Sequence, residues 1–253
     1  MIGIANHTTV DVIEFPDQPE KIGKQSTQLL YGESFNIERE EGDYYYGTCT
    51  HDDYAGYALK SQVKPLKENE KPPSDLIYVP STHLYAKPSF KTQPILSLSY
   101  LSRLSVTQEQ KGDFTKVDNG KWIFTNHIKS LSNFPYKLDT IELAKSFLGT
   151  PYLYAGRSVF GIDCAGLIQI LMMAQGYSYP ARDCCDQETT LGEAVSHDDI
   201  QAGDIVYFEG HVGLMIDDKH ILNATSRHMT TLIENLSDLE RIYNGIRHVR
   251  RVD

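Results

Sequence analysis

Cys164 is the residue in this chain whose address most invites chemistry. It stands in GIDCAGLIQILMMAQG, directly after Asp163. Asp is a preferred helix N-cap, and the apolar run behind it reads as a helix that Gly176 stops. A cysteine in a first helical turn lies among unpaired N–H groups and the positive end of the helix dipole, both of which favour thiolate over thiol. The competing reading is a small buried residue, the usual fate of a free cysteine, and Cys49 in its strand is given that reading. A nucleophile needs a base. His211 opens HVGLMID, with Gly213 leaving space beside it, and GDIVYFEGHVGLMIDDKHILNATS reads as three sequential antiparallel strands that bring Asn223 back toward His211. Both side chains share a face if the turn at Asp217-Asp218-Lys219 holds an odd number of residues, or if a bulge corrects the register. On that condition Asn223 can fix the tautomer and orientation of His211, completing a Cys-His-Asn set.

These residues need a scaffold that presents a helix end to a sheet. LDTIELAKSFLG places Ile141, Leu143, Ala144, Phe147 and Leu148 largely on one helical face, with Asp139 and Glu142 spaced as a capping box and Gly149 as the stop. CAGLIQILMMAQG is apolar nearly all round, so that helix should be buried. Helices followed by antiparallel strands predict an α+β domain.

The first half has a different texture. TVDVIEF, ESFNIERE, DYYYGTCT and AGYALKSQV read as short strands, and so, after the solvated stretch KENEKPPSD, do THLYAKP, SRLSVTQEQ, DFTKVD and KWIFTNHI. LLYGESFNIEREEGDYYYGTC closing on GYALKSQV can be laid over LSYLSRLSVTQEQKGDFTKVD closing on KWIFTNHI. Such a repeat predicts two small β-barrels in tandem.

Composition narrows the function. With 253 residues and 40% hydrophobic positions, the chain can bury more than one core. A formal charge of -10 with dispersed Lys and Arg provides no basic stripe for phosphates, so nucleic acid is not an expected partner. The N-terminal stretch lacks a basic n-region and an apolar signal-length run, and no apolar segment approaches a membrane span. The four cysteines form no CxxC pair or disulfide spacing, which suits a reducing compartment. A cytoplasmic monomer without membrane contact, cofactor or metal is the expectation.

FLGTPYLYAGRSVFGIDCAGLIQ, ARDCCDQ, GDIVYFEGHVGLMID and KHILNATSRHM, in that order, resemble the NlpC-type cell-wall cysteine peptidases, a circularly rearranged papain-like family. The resemblance is closest to the subgroup with bacterial SH3-like domains in front of the peptidase, which cleaves γ-D-glutamyl-diaminopimelate bonds. It implies Cys164 as nucleophile, His211 as base, Asn223 as the third polar residue and Tyr152 as the hydroxyl that helps hold the oxyanion. It implies further that Asp183 holds the free amine of an N-terminal L-Ala, that Asp163 and Cys184 line the pocket, and that Tyr54 of the first barrel closes the subsite, with Tyr44 to Tyr46 as alternatives. Three departures stand out: Ala165 replaces a common Ser, Tyr154 the Trp of YLWGG, and Cys184 the Ser of RDS. Tyr154 is counted with the substrate-binding residues.

The resulting reading is two SH3-like barrels at about 5–66 and 79–130 and an α+β papain-like peptidase at 135–253, recycling small muropeptides. Rival readings are an amidase or acyltransferase on the same core, and a wall-peptide-binding module with a degenerate peptidase. Intact Cys164, His211 and Asn223 oppose degeneracy. A zinc enzyme is weaker still, because His220 and His228 have no recognisable ligand spacing.

Overall fold

Alternating burial builds the first sheet. Strand Tyr44–Cys49 buries Tyr45, Gly47 and Cys49 and turns Tyr44, Tyr46 and Thr48 outward, while Thr9–Ile13 buries Val10 and Val12. In the computed structural model, which describes residues 1–14, 25–136, 138–178 and 180–252, seven strands pair antiparallel. Their order is Gln25–Leu30, Thr9–Ile13, Ala55–Leu59, Tyr44–Cys49, Ser34–Glu41, Ile2–Ala5 and Val63–Pro65. Val10, Val12, Leu29, Phe35, Ile37, Tyr45, Cys49 and Val63 fill the core. Phe15, the end of the expected run TVDVIEF, lies outside the described residues.

A second β-module follows. Pro94–Ser99, Ser81–Tyr85, Trp122–Phe124, Phe114–Val117 and Val106–Lys111 form one sheet; Arg103–Leu104, Asp75–Ile77 and Ile128–Ser130 form another. Ile77, Leu84, Leu98, Leu104, Val117 and Ile123 are buried between them. The repeat read from the sequence recurs in backbone detail. Gly32 at φ +80° and Leu101 at φ +63° occupy matching turns, closed by Glu33 N–H to Leu30 O (3.0 Å) and Ser102 N–H to Ser99 O (3.1 Å). The runs AGYALKSQV and KWIFTNHI are each broken by a 3-10 turn, Lys60–Gln62 and Thr125–His127. Strands Ile2–Ala5, Gln25–Leu30, Asp75–Ile77 and Pro94–Ser99 were not anticipated, being short or carrying buried polar residues such as Ser26, Thr27 and Gln28.

The chain divides into two compact units, Met1–Phe134 and Pro135–Asp253. The second unit opens with α1 (Thr140–Lys145), capped by Asp139 through Ile141 N–H (2.9 Å) and Glu142 N–H (3.1 Å). Glu142 pairs with Lys145 (2.8 Å), so the capping box forms only from the Asp139 side. Ala144 and Phe147 are buried, but the helix ends before Leu148, which is 42% exposed. Gly149, at φ +80°, turns the chain and donates its N–H to Thr231 O.

The helix α2 (Cys164–Ala174) is buried at every position, as its apolar circumference requires. Leu167, Ile168, Ile170 and Leu171 are essentially inaccessible, each burial contributing on the order of 1.5–3 kcal/mol. This helix packs against strands His211–Met215 and His220–Thr225 of a six-stranded antiparallel sheet. The sheet order is Glu193–Ala194, His248–Arg251, Ile205–Phe208, His211–Met215, His220–Thr225 and Thr230–Asn235. Two further α-helices are described in this unit, α3 (Cys184–Thr190) and α4 (Leu236–Ile242). Leu239 of α4 joins the core of Val206, Phe208, Met215, Ile221 and Val249. No helix among the described residues is long and apolar enough to cross a membrane.

Candidate active site

Asp163 creates the address of Cys164. Its Oδ1 accepts from Gly166 N–H (2.6 Å), which caps α2, and its Oδ2 accepts from Ala155 N–H (2.7 Å). Arg182 then closes a two-pronged pair, Nη1 to Oδ1 at 3.0 Å and Nη2 to Oδ2 at 2.8 Å. With both oxygens so engaged, Asp163 fixes the start of α2 to the loop before it and to Arg182. The close fit needs glycine. A Cβ on Gly166 would meet Gly156 O at 2.3 Å, and one on Gly156 would meet Gly161 O at 2.5 Å.

Cys164 begins α2 and is 9% exposed. The backbone N–H groups of Val212 and Ala165 face its sulfur, and its own N–H has no acceptor among the described residues. Burial pushes the thiol up to about 12; the Asp163 carboxylate and Cys184 add to the rise, and the two N–H groups oppose it. The helix N-terminus favours the thiolate, and burial beside an acidic cap opposes it. The cap that makes the helix start here is itself an anion, and the site is shielded from water.

His211 and Asn223 share a sheet face. Leu214 pairs with Leu222 and Met215 with Ile221, and Ile216 N–H closes on His220 O (2.9 Å), leaving three residues, Asp217-Asp218-Lys219, in the turn. The odd count keeps His211 and Asn223 on one side, and His211 Nε2 lies 3.0 Å from Asn223 Oδ1. Both residues are buried. Burial lowers the imidazole to about 4, against the Asn223 hydrogen bond, which raises it. Burial thus favours the uncharged form of both groups, and a neutral imidazole can take the thiol proton as a general base.

Three residues that the sequence reading passed over complete this corner. The Tyr243 ring stacks on His211, centroids 4.9 Å apart and 10° from parallel. Asn223 Nδ2 donates to Glu234 Oε2 (3.1 Å), and Arg227 Nη2 donates to both Glu234 oxygens (2.9 and 2.7 Å). Reading TTLIEN as a further strand would have exposed Glu234, since Leu232 pairs with Asn223 and Glu234 is two residues on, on the same face.

The remaining candidates occupy distinct positions. Tyr152 is half-buried; burial raises its hydroxyl, and Cys164 and then Asp163 lie close enough to add to the rise. Tyr154, also near Tyr152, is 60% exposed. Cys184 opens α3, where burial pushes its thiol up to about 11. Asp183 precedes it at the N-cap position, half-exposed, its carbonyl accepting from Asp186 and Gln187 N–H. Gln187 ties α3 to the start of α2 through Ala165 O (2.9 Å). In the first unit, Tyr54 follows a turn with Asp53 at φ +57° and packs against the barrel core. Tyr45 is buried there, and Tyr46 lies beneath Arg39 and edge-on to Tyr57.

Comparison with known proteins bears on this site. The NlpC/P60 family model matches residues 149–246, and the bacterial dipeptidyl-peptidase Sh3 domain matches residues 17–63. A gamma-D-glutamyl-L-lysine dipeptidyl-peptidase of Bacillus subtilis is 30% identical over 235 residues, covering 86% of this chain and 77% of that protein. Its namesake in Bacillus cereus is 30% identical, covering 79% and 67%. The crystal structure of an NlpC/P60 family protein from Bacillus cereus superposes with a TM-score of 0.83 at 23% identity, covering 99% of each chain, which extends the likeness of fold to both units.

Proposed function

This chain belongs to the NlpC/P60 family of peptidases, with an SH3-like β-region in front, and from that premise we propose that it hydrolyses the γ-D-glutamyl–diamino acid bond of small muropeptides. Cys164 is the nucleophile: its sulfur attacks the γ-carbonyl of D-Glu while His211 removes the thiol proton and then delivers it to the leaving amine. Cys164 N–H and the Tyr152 hydroxyl stabilise the oxyanion, and water, activated by His211, releases the acyl group. What supports this reading is the packing of α2, which Cys164 begins, against the strands that carry His211 and Asn223, with the Val212 N–H facing the sulfur and His211 Nε2 3.0 Å from Asn223 Oδ1.

Asp183 holds the ammonium group of a free N-terminal L-Ala, and Tyr154, Asp163 and Cys184 shape its surroundings. A demand for an unblocked amine directs the enzyme to soluble fragments already freed from the wall, hence to peptide recycling in the cytoplasm. The test is product analysis by mass spectrometry with L-Ala-γ-D-Glu joined to diaminopimelate or Lys, free or N-acetylated. Release of L-Ala-D-Glu from the free peptides alone, abolished in Cys164→Ala and His211→Ala, is the expected result. Equal cutting of acetylated peptide rejects the subsite, and undiminished turnover in His211→Ala rejects the mechanism.

A further inference from the structure

We propose that Glu234, clamped by Arg227, is a positioning residue that selects the working tautomer of His211 through Asn223. The proposal rests on the assignment of His211 as base. It begins at the outer end of the network, where Arg227 Nη2 reaches both Glu234 oxygens, at 2.9 and 2.7 Å. A carboxylate held by a guanidinium only accepts hydrogen bonds. Asn223 must therefore turn Nδ2 toward Glu234 Oε2, at 3.1 Å, which leaves Oδ1 facing His211 Nε2 at 3.0 Å. An amide oxygen also only accepts, so Nε2 must carry the proton. Nδ1 is left with the lone pair that a base needs.

Asn223 cannot make this choice alone. Its amide has nearly the same shape when rotated half a turn, but then Nδ2 would face His211, Nε2 would have to accept, and the proton would sit on Nδ1. The acceptor-only group at 234 breaks that symmetry. Tyr243, stacked 10° from parallel on the imidazole, holds the ring plane in which the choice is expressed. Arg227, 5.8 Å over the Tyr243 ring, joins the two supports.

The test reads the tautomer and the rate separately. In the full chain labelled with 15N-histidine at pH 7.5, the ring-nitrogen shifts of His211 should report Nε2–H for the wild type and a mixture with Nδ1–H for Glu234→Leu. With the free L-Ala-γ-D-Glu-diaminopimelate peptide, kcat should fall about tenfold to a hundredfold in that variant, the scale of one lost hydrogen bond to a charged, partly buried acceptor, with KM nearly unchanged. Glu234→Gln, which can still offer an oxygen to Asn223, should fall between the two in both measurements. A folded Glu234→Leu with the wild-type tautomer and kcat overturns the proposal. If that variant does not fold, Glu234→Gln decides, and no change in either reading overturns it equally. His211→Ala separates the two levels: wild-type turnover there removes the assignment of the base itself, whereas an inactive His211→Ala beside unaffected Glu234 variants removes only the role of Glu234.

Discussion

Arg182 and Asp163 form a buried, two-pronged ion pair directly behind Cys164, with N–O distances of 3.0 and 2.8 Å. The pair fixes the cap of α2, and Arg182 also reaches Gly156 O at 3.4 Å, so one guanidinium binds the helix start to the loop before it. Removing one partner strands a buried charge. Arg182→Leu should therefore lower stability by about 3–5 kcal/mol in urea unfolding. A loss under about 1 kcal/mol would show that water reaches Asp163 and that the pair braces nothing.

The lowered imidazole of His211 sets a pH dependence of stability. Its usual value is 6.5 and its folded value about 4, so between these the unfolded chain binds a proton that the native protein refuses. Stability attributable to His211 is then present above about pH 6.5 and lost as pH falls toward 4, amounting to about 2 kcal/mol between pH 7 and 4.5. Arg227 and Glu234 act on the imidazole with opposite signs. His211→Gln should remove this part of the acid loss from urea midpoints measured at the two pH values; an unchanged slope would place the loss on other groups.

The amine subsite predicts a division between binding and reactivity. On the proposed reading Asp183→Ala should reduce kcat/KM for the free peptide at least about tenfold, because the ammonium end loses its charge partner. The same variant should leave the rate of Cys164 alkylation by iodoacetamide within about twofold, because that small reagent uses no subsite. Parallel losses in both assays would mean that Asp183 supports the fold of the site instead.

Ala155 holds φ +61° while donating its N–H to Asp163 Oδ2 at 2.7 Å. A side chain in this left-handed region costs about 1–2 kcal/mol, part of which glycine regains and part of which it spends in the unfolded chain. Ala155→Gly should raise the unfolding free energy in urea modestly, by up to about 1 kcal/mol, with activity kept. A clear destabilisation would indicate that the Ala155 methyl group contributes packing that outweighs the strain.

The sequence by itself determined the local parts of this protein. The start of α2 after Asp163 and its end before Gly176 follow from capping and from left-handed turn chemistry, and its complete burial follows from apolar residues around its whole circumference. The tandem β-modules were legible because equivalent turns impose equivalent residues, although Leu101 where the first copy has Gly32 shows that the rule bends. Tertiary structure decided what depends on neighbours distant in the chain. Whether Asn223 faced His211 turned on the residue count of one hairpin, which the sequence allowed but did not force. Arg182 came to Asp163, and Glu234 to Asn223, only through chain folding, and their side chains carry no periodic mark of a shared site. The protonation of Cys164 was the furthest from reach: a helix end can be read in sequence, but the water removed around a thiol is a property of everything packed over it.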